Sequence, residues 1–395
     1  MTNKEIIALT DRHVAGTYKR FPIAVVRGKG LRVWDGDGKE YLDFTAGLAV
    51  CNLGHCHPAV VEAVKRQAEK LIHISNLYYI GPQAELAGLL TENSFADRVF
   101  FCNSGAEANE AAIKLARKYF SDRREPRFKI VSMEKSFHGR TFAALAATGQ
   151  EKVRKGYEPV LEKFTYIPFN DLGAVKEAVD EATAAVMVEP IQGEGGVNVP
   201  EEGYLKRLKE VCEERGALLI FDEVQVGVGR TGKLFAYENY GVTPDIMTLA
   251  KGLAGGVAMG AMLATEDVAS AFGPGSHAST FGGNPLSAAA GVAAVRAIAG
   301  EGVLDNTVRV GEYLLNVLNG LKEKYGFITE VRGRGLILGM ELEAPAGVIV
   351  KECLERGLLL NAIGDNVLRF IPPLIITEKE VDEMAGILGG VLDGV

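Results

Sequence analysis

Apolar residues follow two rhythms along this chain, and the alternation between them predicts its architecture. Short apolar runs at 99–102, 128–132, 185–188, 218–221, 246–250 and 259–264 are bounded by turn residues, as buried strands are. Stretches with helical spacing, notably 107–120, 172–182 and 204–215, separate several of them. Strand, loop and helix in repetition predict an α/β fold: a large domain whose mainly parallel sheet is flanked by helices, plus a smaller α+β domain. In such sheets ligands lie beyond the carboxyl ends of the strands.

The flanks read differently. Up to about Phe44 the chain has a helical start, a turn at Phe21-Pro22 and short strands broken by Gly28, Gly30, Gly36 and Gly38, with WDGDGKEYLD as a hairpin signal. Residues 58–71 carry apolar side chains at Val60, Val61, Val64, Ala68 and Leu71, with Pro58 where a first helical turn tolerates proline. Beyond Pro285 an Ala-rich helical stretch reaches about Tyr325. The alternating VRGRGLILGMELE follows, then a strand carrying Arg369, a double proline and an amphipathic closing helix. The expected division is 1–57 as an N-terminal segment contributing to the small domain, 58–290 as the large domain and 291–395 as the C-terminal small domain.

At 395 residues and 42.3 kDa the chain is longer than single cores usually grow, about 250 to 300 residues. A charge of −8 with both signs mixed offers no basic patch, so nucleic acid is not an expected partner. No run of eighteen apolar residues occurs, and the start MTNKEIIALTDRH lacks a secretion signal's apolar core; the expectation is a cytoplasmic protein without membrane attachment. Five cysteines, an odd number, suit free thiols. The cluster Cys51, His55, Cys56, His57 invites zinc, but no second ligand pair follows at finger spacing, so no metal is expected.

The polar residues after the strands are Asn103-Ser104-Gly105, Phe137-His138-Gly139-Arg140, Glu189-Pro190, Asp222-Glu223 and Lys251-Gly252. A lysine amine forms a Schiff base only when unprotonated, and desolvation at a strand end favours that form. Asp222, held near a pyridine nitrogen, would keep it protonated so that the ring withdraws electrons. Lys251 and Asp222 therefore suit pyridoxal phosphate. As a pair taken alone they also read as ordinary strand-end charges; the phosphate cradle and cation supplied by neighbouring strands raise the functional reading.

Several motifs stay open on residues alone. The helix start after Ser104 suits phosphate, yet Ser104 with Glu107 is also a capping box. GVGRTGK (227–233) fits a nucleotide-binding loop, but Leu234 replaces the magnesium-binding Ser or Thr and no long helix follows. Arg140 and Arg369 suit carboxylate binding from opposite sides of a cleft, or plain salt bridges. Phe137 suits either the core or stacking on a ring.

FCNSGAEANEAAIKLAR, FHGRT, VEPIQGEGG, LIFDEVQVGVGRTG, TLAKGLAGG and STFGGNP, in this order, resemble the class III, or ω-, aminotransferases of pyridoxal phosphate fold type I. Within that class TYKRFPI and HISNLYY resemble the branch acting on acetylornithine in arginine biosynthesis. The resemblance implies a homodimer with shared active sites. It implies that Lys251 carries the cofactor as a Schiff base and shuttles protons, Asp222 pairs with the pyridine nitrogen, and Gln225 contacts the ring hydroxyl. Ser104, Gly105 and Ala106 would bind phosphate, with Thr280 reaching in from the partner, and Phe137 and Val224 would sandwich the ring. Arg140 would hold the α-carboxylate of acetylornithine or the distal carboxylate of glutamate, and Arg369 glutamate's α-carboxylate, with Glu194 pairing with Arg369 when no second carboxylate is present. Ser279 and Tyr18 are further substrate contacts.

The implied reaction joins acetylornithine and 2-oxoglutarate; succinylornithine, ornithine and 4-aminobutyrate are the alternative amine donors. Two positions depart from relatives. Leu48 stands where ornithine enzymes carry tyrosine, which favours an acylated substrate, and Ala106 replaces a threonine.

Overall fold

The computed structural model describes residues 1–395. After an N-terminal helix, Asn3–His13, the chain forms an antiparallel meander of β1 (Val25–Lys29), β2 (Arg32–Asp35) and β3 (Glu40–Asp43). The seven strands of the central sheet follow: β4 (Arg98–Cys102), β5 (Lys129–Met133), β6 (Phe164–Ile167), β7 (Thr183–Val188), β8 (Leu218–Asp222), β9 (Ile246–Leu249) and β10 (Gly260–Ala264). Their spatial order is β4-β10-β9-β8-β7-β5-β6. The run from β9 to β6 is parallel, while β10 is antiparallel to both neighbours.

Every residue of β7, β8, β9 and β10 is buried, because helices cover both faces. Helix Gly105–Asp122 packs on one face, lining its side with Ala108, Ala111, Ala112, Leu115 and Ala116. Small side chains there let the helix backbone approach the strands. Helix Tyr204–Arg215 covers the other face through Leu205, Leu208 and Val211, and stops at Gly216, whose φ of 65° suits glycine.

The C-terminal part holds β11 (Ile328–Arg334), β12 (Ile337–Leu342), β13 (Leu358–Leu359), β14 (Asn361–Ile363) and β15 (Val367–Phe370). The sheet runs β11-β12-β15-β14, whereas β13 pairs parallel with β3 and ties the N-terminal meander to the C-terminal part. A boundary at residue 290 falls inside the continuous helix Pro285–Gly300, which packs against Pro58–Ala68 and Gly81–Glu92, so no break occurs at that point. One apolar cluster reaches from Leu42 through Leu249 and Leu263 to Leu392, joining N-terminal, central and C-terminal elements.

Candidate active site

The loops leaving β4, β5, β7, β8 and β9 at their carboxyl ends converge on a cavity of about 380 Å³. Its lining includes Ser104, Gly105, Ala106, Phe137, Arg140, Glu194, Asp222, Val224, Gln225 and Lys251. Most of the residues singled out in the sequence thus meet in one place.

Lys251 follows β9 at a φ of 43°, a backbone conformation that costs a side-chain-bearing residue energy and is retained where the surroundings enforce it. Desolvation lowers its amine to about 8; Glu194 opposes this shift and Arg369 adds to it. Asp222, the last residue of β8, is buried. Its Oδ2 accepts from Asn109 Nδ2 and lies against His138 Nδ1, each at 2.7 Å, and its Oδ1 accepts the Val224 N–H at 3.0 Å. Asn109 is fixed in turn by donating to the His138 carbonyl and accepting from the Thr248 hydroxyl, both at 2.7 Å. A carboxylate opposite Nδ1 places the imidazole proton there. Glu223, next in sequence, serves the scaffold. Its oxygens accept the N–H groups of Ala236 and Tyr237, and burial pushes its carboxyl up to about 8.

At the other end, helix Gly105–Asp122 begins with Ser104, whose hydroxyl accepts the Glu107 N–H at 3.2 Å, so the capping function is present. Gly105 and Ala106 are first-turn residues whose N–H groups have no intrahelical acceptor. A Cβ on Gly105 would lie 2.6 Å from Val224 Cγ1, so the close approach of helix start and cavity wall needs glycine.

Arg369, on β15, is fully buried. It donates to Asn361 Oδ1 at 2.8 Å, the Gly193 carbonyl at 2.9 Å, Glu194 Oε1 at 2.7 Å and Gln225 Oε1 at 3.0 Å, while its Nη2 has no partner. Burial pushes the Glu194 carboxyl up, but the charges of Arg369 and Lys251 and hydrogen bonds from Arg369 and Gln225 outweigh it and hold the group at about 2. The two arginines do not both face the cavity: Arg140 lines it, exposed, with its guanidinium 5.7 Å from the Phe137 ring centre, whereas Arg369 stands behind Glu194. Gln225 is engaged at both ends of its amide by Arg369 and Glu194. That leaves one amide hydrogen for the ring contact expected of it.

Ser279 sits beside the cavity, its Oγ accepting from Asn103 Nδ2 at 3.2 Å. Thr280 is exposed and Tyr18 is 73% exposed, and neither lines the cavity within the chain. Among residues not singled out from the sequence, Asn109 and Thr248 belong to the Asp222 network, while Glu189, named with the strand-end polar residues, lies in the wall. Burial and the charge of Asp222 push the Glu189 carboxyl well above its ordinary range.

Two other motifs resolve into structure. Arg230 of the 227–233 loop is buried and donates to Asn52 Oδ1 and to the Leu336 and Pro372 carbonyls, so that loop is an interior clamp and not a phosphate cradle opening a helix. In the cysteine-histidine cluster His55 is bonded to Asp43 at 2.7 Å and Cys56 is exposed; all five cysteines are free.

A desolvated amine, a carboxylate held by Asn109, His138 and a backbone N–H, and a glycine-lined helix start facing one cavity fit the aldehyde, ring nitrogen and phosphate of pyridoxal phosphate. Fold and site together define a pyridoxal phosphate-dependent aminotransferase. The chain belongs to the class-III aminotransferases, whose family model matches residues 13–392. It is 54% identical over 392 residues to the acetylornithine aminotransferase of Caldanaerobacter subterraneus subsp. tengcongensis, covering 99% of this chain and 100% of that protein. Among solved structures it is similar to an ornithine aminotransferase from Toxoplasma gondii that shows partial occupancy of pyridoxal phosphate at its active site. The TM-score is 0.96 at 37% identity, over 100% of this chain and 95% of the other. The acetylornithine aminotransferase of Elizabethkingia anophelis is similar too, with a TM-score of 0.90 at 35% identity over the full length of both chains.

Proposed function

We propose that this chain transfers the terminal amino group of N²-acetyl-L-ornithine to 2-oxoglutarate, giving N-acetyl-L-glutamate 5-semialdehyde and L-glutamate in the cytoplasm. The observation that carries the reading is the desolvated Lys251 amine sharing a cavity with the hydrogen-bonded Asp222. The acetylornithine relative at 54% identity supports the choice of donor, as does Leu48, 43% exposed, which offers a free α-amine no polar partner.

Lys251 would hold the cofactor, Ser104, Gly105 and Ala106 its phosphate together with Thr280 of the partner subunit, Gln225 its hydroxyl, and Phe137 and Val224 its two faces. When bound, the cofactor supplies an electron-withdrawing ring and stores the amino group between the two halves of the reaction. Lys251 Nζ, with its proton affinity lowered, would take and return the proton of the donor's amine-bearing carbon. Asp222 would keep the ring nitrogen protonated, its own orientation set by His138 and Asn109. Arg140 would take the carboxylate that both substrates share, with Ser279 and Tyr18 near the substrate. Glu194 would occupy Arg369 while acetylornithine is bound and yield it to glutamate, for which the unpartnered Nη2 offers a second donor.

After loading with cofactor and borohydride reduction, the digest is expected to carry its adduct on the peptide containing Lys251, and Lys251→Ala to abolish adduct and turnover together. In a panel of acetylornithine, succinylornithine, ornithine and 4-aminobutyrate, kcat/KM is expected to be highest for acetylornithine. Preference for ornithine would overturn the donor assignment, and inactivity with all four would overturn the reading as a whole.

A further inference from the structure

Glu189 stands just beyond β7, in the cavity wall, 5% exposed. Its carboxylate oxygens are each taken by a backbone donor from a different loop. Oε2 accepts the Phe137 N–H at 3.0 Å, and Oε1 accepts the Gly193 N–H at 3.3 Å. No lysine or arginine touches it, which is unusual for a buried carboxyl beside other carboxyls.

The two loops it joins lead to the two carboxylate-binding arginines. Phe137 is three residues before Arg140 and carries that guanidinium over its ring. The Gly193 carbonyl accepts from Arg369, and Glu194, next in the chain, is that arginine's ion-pair partner. The Gly193 turn packs closely on the Gln225 side chain, since a Cβ there would lie 1.9 Å from its Oε1. Glu189 bonds to both loops beside the arginines, while the Gln192 Nε2 bond to the Glu134 carbonyl at 2.8 Å joins the same loops farther out, so the length of Glu189 bears on how far apart they stand at the cavity.

We infer that Glu189 is a positioning residue that sets the spacing between Arg140 and Arg369, and thereby the enzyme's acceptance of the five-carbon dicarboxylates, glutamate and 2-oxoglutarate. This rests on the reading above, in which glutamate is held by both arginines and acetylornithine by Arg140. A misplacement of one arginine relative to the other then penalises the dicarboxylate, which must reach both, more than a donor that needs one.

Two variants of the holoenzyme separate length from charge. Glu189→Gln turns an amide N–H toward one of the two backbone N–H groups and loses that bond; Glu189→Asp keeps the charge on a stem one carbon shorter. Both are expected to raise KM for glutamate and for 2-oxoglutarate about ten-fold, the order of one lost hydrogen bond at a charged group. KM for acetylornithine is expected to stay within about three-fold, so that the ratio of the two moves in one direction. Equal losses with both amine donors, or full recovery in Glu189→Asp, would overturn the inference and make Glu189 a general support or a source of charge. A wild-type enzyme inert toward acetylornithine overturns the donor assignment instead; the split is then read between glutamate and 4-aminobutyrate, which also has one carboxylate.

Discussion

A lysine amine that is mostly protonated cannot attack an aldehyde, so the lowered proton affinity of Lys251 sets the conditions under which this protein takes up its cofactor. With the amine at about 8, its neutral fraction climbs as pH rises through that value. The rate of cofactor capture by the apoprotein is expected to increase about ten-fold between pH 7 and pH 9, as a single titration at about 8 requires. Stopped-flow absorbance at the cofactor's visible band measures it. A flat profile, or a midpoint near 10.5, would show that the cavity does not desolvate the amine as described. The same shift leaves the unfolded chain binding more protons than the native one between about 8 and 10.5. Native stability lost to the partly desolvated ammonium below that window is therefore regained as pH rises through it. Lys251, Asp222 and Glu189 are legible in the sequence as strand-end residues because each follows or ends an apolar run; Asn109 is not, nor are the donors that Glu189 meets. Inside a helix Asn109 reads as a surface amide, and the strand-end position of Glu189 does not show which backbone groups its carboxyl meets. Their roles come from partners 113 and 52 residues away in the chain.

Elements are most legible where apolar runs are short and cleanly bounded, and least where aromatic or glycine residues blur the period. Helix Tyr204–Arg215 has the limits expected from its stripe, and β8 extends by one residue beyond its apolar run, to Asp222. The strand Phe164–Ile167 escapes the sequence pattern because its aromatic residues sit among charged and proline-rich neighbours, and the helix Gly81–Glu92 because its apolar face is weakly defined. The direction of β10 is also out of reach, since strand pattern is the same in parallel and antiparallel pairs. At the first turn of Gly105–Asp122 one side chain carries two loads, helix cap and phosphate end. Ser104→Ala removes the acceptor of the Glu107 N–H and is expected to cost the apoprotein about 1 kcal/mol in urea titration. The same change is expected to speed cofactor release in the holoprotein. A stability loss with unchanged release would leave Ser104 a cap alone.

At the scale of the whole molecule, the loop that most resembles a nucleotide site explains how the chain's distant parts hold together. Arg230 reaches Asn52 in the N-terminal loop and the carbonyls of Leu336 and Pro372 in the C-terminal part, and its own carbonyl accepts the Leu336 N–H at 3.0 Å. Burial lowers this guanidinium to about 9, which leaves it charged at neutral pH, with neutral oxygens as its only acceptors. Arg230→Met fills similar space without donors, so it relieves a desolvated charge and strands three acceptors. Because the stranded groups are neutral, each costs about 1 to 3 kcal/mol, and the relief of the charge offsets part of the sum. A net loss of roughly 2 to 4 kcal/mol is expected in denaturant titration, with a shallower transition as the C-terminal part uncouples from the central sheet. Millimolar ATP is expected to leave the melting temperature of the wild type where it is. If instead ATP stabilises the wild type and Arg230→Met removes that effect without a change in the apoprotein's transition, the loop binds nucleotide and the clamp assignment is wrong.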